Sequence, residues 1–281
     1  MAGGLYIVAT PIGNLKDITL RALSTLKAAD LILAEDTRLS RRLLEHYGIA
    51  TPLLSCHEHN EAERTPEILQ QLQAGRRLAL ISDAGTPAVS DPGYRLVKAA
   101  AAAGFKVVPI PGASAAIAAV SAAGLPSNNF AFIGFAPKKY KARQEFLARY
   151  LSFPGTLVFY ESPHRVTDLL QSLKEVFGDK PAVLARELTK IYEEFMRGDL
   201  SELLSQLAAR DGLKGECAVL LDNTVTESAP PDPGDLAAEI AAALQNDDTG
   251  TSALAKALAK KYGLSRAEVY RQILRIKEDE A

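Results

Sequence analysis

Only two cysteines stand in the 281-residue chain, Cys56 and Cys217. They lie far apart and form neither a disulfide framework nor a CxxC pair, which fits a reducing cytoplasm. Charge imbalance is missing too: 32 Lys and Arg oppose 34 Asp and Glu, for a net charge of -2. No global basic field advertises nucleic acid, so any such surface has to be local. The longest apolar run, around Ala99 to Ala103, is too short to span a bilayer. The amino terminus enters a strand-like run with no leader pattern of charged, apolar and small residues. These absences predict a soluble, cytoplasmic protein with no membrane partner. Two phosphate-binding signatures are also missing. Thr10-Pro11-Ile12-Gly13-Asn14 sits where a dinucleotide fold carries GxGxxG, and no GxxxxGK[ST] loop follows a strand. A pyrophosphate cradle needs several glycine amides at a helix start, so NAD and ATP are disfavoured.

What is present alternates in a regular way. Leu5 to Ala9, Leu31 to Ala34, Leu53-Leu54, Leu78 to Ile81 and Lys106 to Ile110 read as short buried strands. Between them lie helical patterns. The first places Leu15, Ile18, Leu23 and Leu26 on one buried side; the next runs from Leu39 to Tyr47 and stops at Gly48; others cover Ala62 to Ala74, Tyr94 to Ala103 and the alanine-rich stretch to Gly124. Strand and helix at this spacing predict an α/β fold with a mostly parallel sheet covered on both faces. After a hinge at Leu125 to Asn129, strands are expected at Phe130 to Phe135, Thr156 to Tyr160, Ala182 to Arg186, Tyr192 to Arg197 and Cys217 to Asp222. The short connection before Tyr192 implies some antiparallel pairing. Helices are expected at Lys141 to Leu151, Pro163 to Phe177 and Leu200 to Ala209. The domains are then 1–124 and 125–226, with a proline-rich linker at 227–235 and a small helical extension at 236–281. In the extension one helix is ended by Gly263, and a capping box of Ser265 and Glu268 opens another.

The stretch Arg77 to Gly93 organises the rest. A loop at the carboxyl end of a parallel strand is where open α/β sheets bind ligands. Its glycines permit close backbone approach and its aspartates offer acceptors. Asp91-Pro92 also reads as a helix N-cap followed by proline at the first helical position. Asp83 has no helix to cap and is expected to touch ligand.

Three charged clusters remain. Cys56-His57-Glu58-His59 places two histidines at i and i+2, on one face of a strand, but no other segment supplies the further ligands zinc wants. A polar rim is the expectation, with no metal. Lys138, Lys139, Lys141 and Arg143 gather around Tyr140 just past a strand end. Cations at a helix start oppose its dipole, and phosphate contacts that position RNA would account for them. The carboxyl-terminal helices are basic as well and can contact RNA or simply face water. Finally, Glu161, Arg165, Arg186, Glu187 and Lys190 end two strands that, if adjacent, bring the charges together as an ion-pair scaffold.

LYIVATPIGNLKDIT, AEDTR, HEHNE, ISDAGTPAVSDPG, PGASA, AAGLP, GFAPKK, FYESPHR, ARELTK and KGECAV occur in this order. The series resembles the ribosomal RNA small subunit methyltransferase I family, within the tetrapyrrole methylase superfamily of class III S-adenosylmethionine methyltransferases. The resemblance covers roughly residues 5 to 225. It implies two α/β domains of the tetrapyrrole methylase type with the cofactor cleft between them, plus a small C-terminal helical unit, in a homodimer. It implies 2′-O-methylation of a cytidine ribose in the decoding region of 16S rRNA, within the small ribosomal subunit, with S-adenosylmethionine as donor. By this likeness the donor meets Pro11, Asp83, Ala84, Gly85, Thr86, Val89, Ser114 and Ala115. The superfamily's Gly-Asp-Pro loop is replaced by Ser82 to Pro87, which keeps the aspartate but changes the spacing, while its Pro-Gly-x-Ser turn is present at Pro111 to Ala115. S-adenosylmethionine carries a sulfonium and no phosphate, in keeping with the missing phosphate loop. A ribose hydroxyl is a poor nucleophile, so a base or cation should assist loss of its proton. Glu187 is the expected base and Lys139 the expected cation.

Two other functions fit part of this pattern. A methylase of the same fold could act on a tetrapyrrole or other small molecule, against which the lysine cluster speaks. A non-catalytic ribosome-binding factor would bind RNA without transferring methyl groups from a labelled donor.

Overall fold

In the computed structural model, residues 2–224, 233–245, 250–262 and 264–279 are described. They divide into two compact units, Met1–Thr224 and Val225–Ala281. The first unit opens with a sheet of five parallel strands: β1 (Gly4–Val8), β2 (Leu31–Ala34), β3 (Leu53–Ser55), β4 (Arg77–Ile81) and β5 (Val107–Ile110), in the spatial order β3-β2-β4-β1-β5. The expected parallel arrangement is therefore what forms. Alternate residues of β1 serve opposite faces. Tyr6 and Val8 pack with Leu26 and Leu44 from α1 (Leu20–Ala28) and α2 (Thr37–His46). Leu5 packs with Ile68 and Leu96 from α3 (Glu61–Gln73) and α4 (Tyr94–Ala102).

The first helix begins later than its apolar spacing suggests. Leu15–Asp17 is a single 3-10 turn, Leu15 is exposed, and Thr19 caps α1 by accepting the Ala22 amide at 3.0 Å. The strong cap overrides the weak periodicity. Gly48 sits just past α2 with φ +61, as its place in the sequence predicts.

The second sheet has strands β6 (Phe130–Phe135), β7 (Thr156–Glu161), β8 (Pro181–Arg186), β9 (Glu194–Asp199) and β10 (Cys217–Asp222), in the order β6-β7-β10-β8-β9. β6 and β7 are parallel; β10 runs antiparallel to both β7 and β8, and β9 antiparallel to β8. Helices α6 (Tyr140–Ala148), α7 (Val166–Phe177) and α8 (Leu200–Ala208) cover one face through Leu147, Leu169, Leu173 and Leu203. The other face receives α5 (Ala115–Ala123), whose Ala116, Ala119 and Ala123 pack on Val158, Val183 and Leu220. Small side chains let this helix lie close to the sheet. Thus α5, which follows the first sheet in sequence, joins it to the second within one compact unit.

The carboxyl-terminal unit has its own core. Leu236 and Ile240 of α9 (Pro233–Gln245), Leu254 and Leu258 of α10 (Thr251–Tyr262), and Val269 and Ile273 of α11 (Arg266–Asp279) are buried together. The Ser265 hydroxyl accepts the Glu268 amide at 3.2 Å where α11 begins. Most of the 227–235 linker, and Gly263, lie outside the described residues. Among the described residues no helix is long and apolar enough to cross a membrane.

Candidate active site

Backbone pairing builds the site before any side chain enters it. The loop after β1 and the loop after β4 are joined by a bridge: Thr10 N donates to Gly85 O at 2.8 Å, and Gly85 N donates to Thr10 O at 3.1 Å. Gly85 holds φ +78, and a Cβ there would lie 3.3 Å from Ile12. Beyond it Ala88 and Ser90 adopt φ +66 and +63, a strained geometry of the kind concentrated at functional sites. From the other half, the loop after β8 reaches back. Asn14 N donates to Thr189 Oγ1 at 3.1 Å, and a Cβ on Gly13 would collide with Lys190 Cγ at 2.5 Å.

These loops enclose a cavity of about 620 Å³ between the sheets. The β4 loop supplies Asp83, Ala84, Gly85, Thr86, Val89 and Asp91, and the start of α5 supplies Ser114 and Ala115. The second half contributes Phe135, Tyr160, Glu161, Ser162, Leu188 and Cys217. Five carboxylate residues line it, namely Glu35, Asp83, Asp91, Glu161 and Glu216, and among the described residues no basic one does.

The first-half carboxylates act on one another. Burial, with the charges of Asp83 and Asp91, raises the Glu35 carboxyl. Burial, with Asp83 adding its charge, pushes Asp91 up to about 6. The Asp83 carboxylate accepts the Asp36 amide at 2.9 Å, which ties the β4 loop to the start of α2. Such a wall favours a cation and repels a polyphosphate.

The sequence expectations sort accordingly. Asp83, Ala84, Gly85, Thr86, Val89, Ser114 and Ala115 come together on the cavity wall. Pro11 is buried behind it, and its neighbour Ile12 takes the lining position. Asp91 is not a helix cap: α4 begins at Tyr94 with Gly93 at the N-cap, φ +125, where a Cβ would meet Leu80 at 2.7 Å. Asp91 thereby lines the cavity instead.

Glu187 lies behind the wall. It takes φ +51, its side chain lies against Gly215, and its carboxylate accepts Lys190 Nζ at 2.8 Å and the Glu216 amide at 3.1 Å. The Lys190 hydrogen bond holds its carboxyl below the ordinary range, opposite to what a base near neutrality requires. Lys139 stands at the N-cap position of α6 without a side-chain capping bond, exposed and outside the cavity lining. Lys138 and Lys141 are exposed beside it, but Arg143 is buried: its Nε donates to Ser172 Oγ at 2.8 Å, pinning α6 to α7. Its guanidinium is thus out of reach of RNA.

The two-strand charge cluster is corrected in one respect. β10 separates β7 from β8, so Glu161 and Arg186 face each other across Cys217. The ion pairs Glu161–Arg165, Arg186–Glu194 and Glu187–Lys190 do form. His57 and His59 lie in a turn past β3, not on a strand, with ring centroids 6.0 Å apart. Cys56 and Cys217 are both buried free thiols.

With this geometry the sequence comparisons agree. The sequence model for the Tetrapyrrole (Corrin/Porphyrin) Methylases matches residues 4–204. The ribosomal RNA small subunit methyltransferase I of Mesorhizobium japonicum is 46% identical over 98% of this chain and 92% of its own length. This chain belongs to the ribosomal RNA small subunit methyltransferase I family. The Pseudomonas aeruginosa member of the family is 52% identical over 78% of this chain and 79% of its own. The crystal structure of uroporphyrin-III C-methyltransferase from Thermus thermophilus, complexed with S-adenyl homocysteine, superposes with a TM-score of 0.56 at 20% identity. It covers 79% of this chain and 98% of its own, and shows that the methyltransferase fold is shared.

Proposed function

We propose that this family member binds S-adenosylmethionine between its two sheets and methylates the ribose 2′-hydroxyl of a cytidine in the decoding region of 16S rRNA. The observation that carries the reading is the group of cavity carboxylates Glu35, Asp83 and Asp91, which, unlike Glu161 and Glu216, have no ion-pair partner among the described residues. It suits a sulfonium, and the small residues Ala84, Gly85 and Ala115 leave room for an extended ligand against backbone. When bound, the donor supplies an electrophilic methyl group. The chain's own contribution is to fix the line of attack and to receive a proton. Alignment of two reactants accounts for much of the acceleration of a bimolecular displacement. The cavity carboxylates, not Glu187, are the groups in place to take the hydroxyl proton, and Asp91, with its carboxyl raised to about 6, is matched to that task near neutral pH.

The target RNA meets the outer surface. Lys138, Lys139 and Lys141 stand exposed at the start of α6 and would hold phosphates. The reading includes a homodimer acting on the small ribosomal subunit in the cytoplasm. Mass mapping of ribose methylation in 16S rRNA, from cells with and without this gene product, tests it. One cytidine in the decoding region should lose its 2′-O-methyl group, and an unchanged map would refute the assignment.

A further inference from the structure

Strand β6 breaks its own alternation just before it ends. Its pairing with β7 runs from Phe130 opposite Thr156 to Phe132 opposite Val158. It then slips by one residue, so that Gly134 faces Phe159 and Phe135 faces Tyr160. Strict alternation would set Phe135 on the side of Ala131 and Ile133, which pack into the helix-covered core. A one-residue slip exchanges the faces of a strand, and bulges beside active sites re-aim side chains in this way. Gly134 permits the slip: it takes φ +76, and a Cβ there would lie 3.2 Å from Ser90 Oγ of the β4 loop.

Phe135 is thereby delivered to the cavity. Its ring centroid lies 5.8 Å from that of Tyr160, and it lines the wall while remaining 56% exposed. The ring is thus supported by an aromatic neighbour and open to solvent where the cavity meets the surface. Every nucleobase has a π-face, and aromatic side chains of this kind are stacking platforms for bases splayed out of a single strand. The residues that follow favour RNA as the occupant. Lys138 and Lys139, both exposed, stand three and four residues further on. Four residues span at most about 14 Å, so one segment reaches both a base on the ring and the phosphates beside it.

We infer that Phe135 is the stacking platform for a base of the RNA substrate, at or next to the methylated nucleotide, and that the β6 bulge presents it. The inference rests on the rRNA methyltransfer reading and adds the residue that grips the base. Stacking is tolerant of base identity, so the platform supplies hold and alignment and leaves the choice of base to other groups.

Phe135→Leu removes the ring and keeps an apolar side chain, while Phe135→Tyr keeps the ring. Methylation of 30S particles at saturating donor, 30S binding across a salt series, and calorimetry with S-adenosylmethionine test the pair. Phe135→Leu should lose roughly 5- to 150-fold in kcat/KM for the particles, with Phe135→Tyr close to wild type and donor affinity unchanged in both. The salt slope of binding should stay at its wild-type value, because no phosphate contact is lost. A Phe135→Leu variant with wild-type kcat/KM overturns the proposal. So does a loss of donor affinity, which would put the donor's adenine on the ring. Equal losses in the two variants, or a Phe135→Leu chain that no longer folds, would mark a packing role and overturn it too. A changed sedimentation of the free protein would do the same, by showing the ring covered by a second copy. Ring-dependent 30S binding by a wild-type protein that transfers no methyl group is a different result: it strikes the methyltransfer reading and leaves the platform standing.

Discussion

The amide of Ala116 donates to the phenol oxygen of Tyr160 at 2.8 Å, joining the first turn of α5 to the end of β7. Ser114 makes no side-chain cap at this helix, so the tyrosine from the opposite sheet satisfies an amide that the helix leaves open. The same residue lines the cavity, and burial raises its hydroxyl above the ordinary range. One bond thus serves both helix capping and closure of the cavity. Tyr160→Phe should lower stability by about 1–2 kcal/mol, seen as a lower urea midpoint. Donor affinity should weaken along with it.

Asp91 gives a pH signature. Its carboxyl titrates near 6 in the fold against an ordinary value of 3.8, so the native chain holds this proton more tightly than the unfolded chain does. The contribution is fully favourable below about pH 4 and is lost as pH rises through 6. Above about pH 7 the ionised group leaves a net cost on the order of 1–3 kcal/mol. Asp91→Asn should therefore melt higher than wild type at about pH 8, with the gap closing toward about pH 4.5. It should also abolish methyl transfer in a single-turnover assay while leaving the protein folded.

Glu194 should behave in the opposite sense. Arg210 and Arg186 hydrogen-bond it and hold its carboxyl down at about 2. Its stabilisation is present above the ordinary carboxylate range and is lost as pH falls from about 4.5 toward 2. Glu194→Gln should cost about 1–2 kcal/mol near neutral pH, and thermal melts at about pH 7 and about pH 4 should show the difference shrinking.

The basic cluster separates by burial. Replacing Lys138, Lys139 and Lys141 with glutamine should weaken binding to 30S particles and lower the salt slope by roughly one for each phosphate no longer neutralised. The donor affinity should not change. Arg143→Ala should instead lower the melting temperature, because it removes the bond to Ser172 that holds α6 on α7.

The contrast between Lys139 and Arg143 shows what a sequence exposes and what it hides. Strands such as Leu31–Ala34 and Cys217–Asp222 are readable to the residue, because short apolar runs between turns have few other uses. The motif order brings together seven of the eight residues expected to meet a donor, which line one cavity. Which of four neighbouring cations is buried is not readable, since Arg143 and Lys139 differ only in where α6 turns toward α7. The insertion of β10 between β7 and β8 is a long-range pairing with no local signature. That insertion separates Glu161 from Arg186 and places Cys217 between them. Asp91 misleads because Asp-Pro carries the chemistry of a cap. Gly93, with space for no Cβ, moves the helix start beyond it.

A crystal soaked with S-adenosylmethionine gives the sharpest test of where the chemistry occurs. The donor should lie between the Asp83 to Thr86 loop and the Glu161-Ser162 turn, with its sulfonium facing the first-half carboxylates. A donor bound elsewhere, or a cavity that stays closed to it at saturating concentration, would contradict this placement and the reaction built on it.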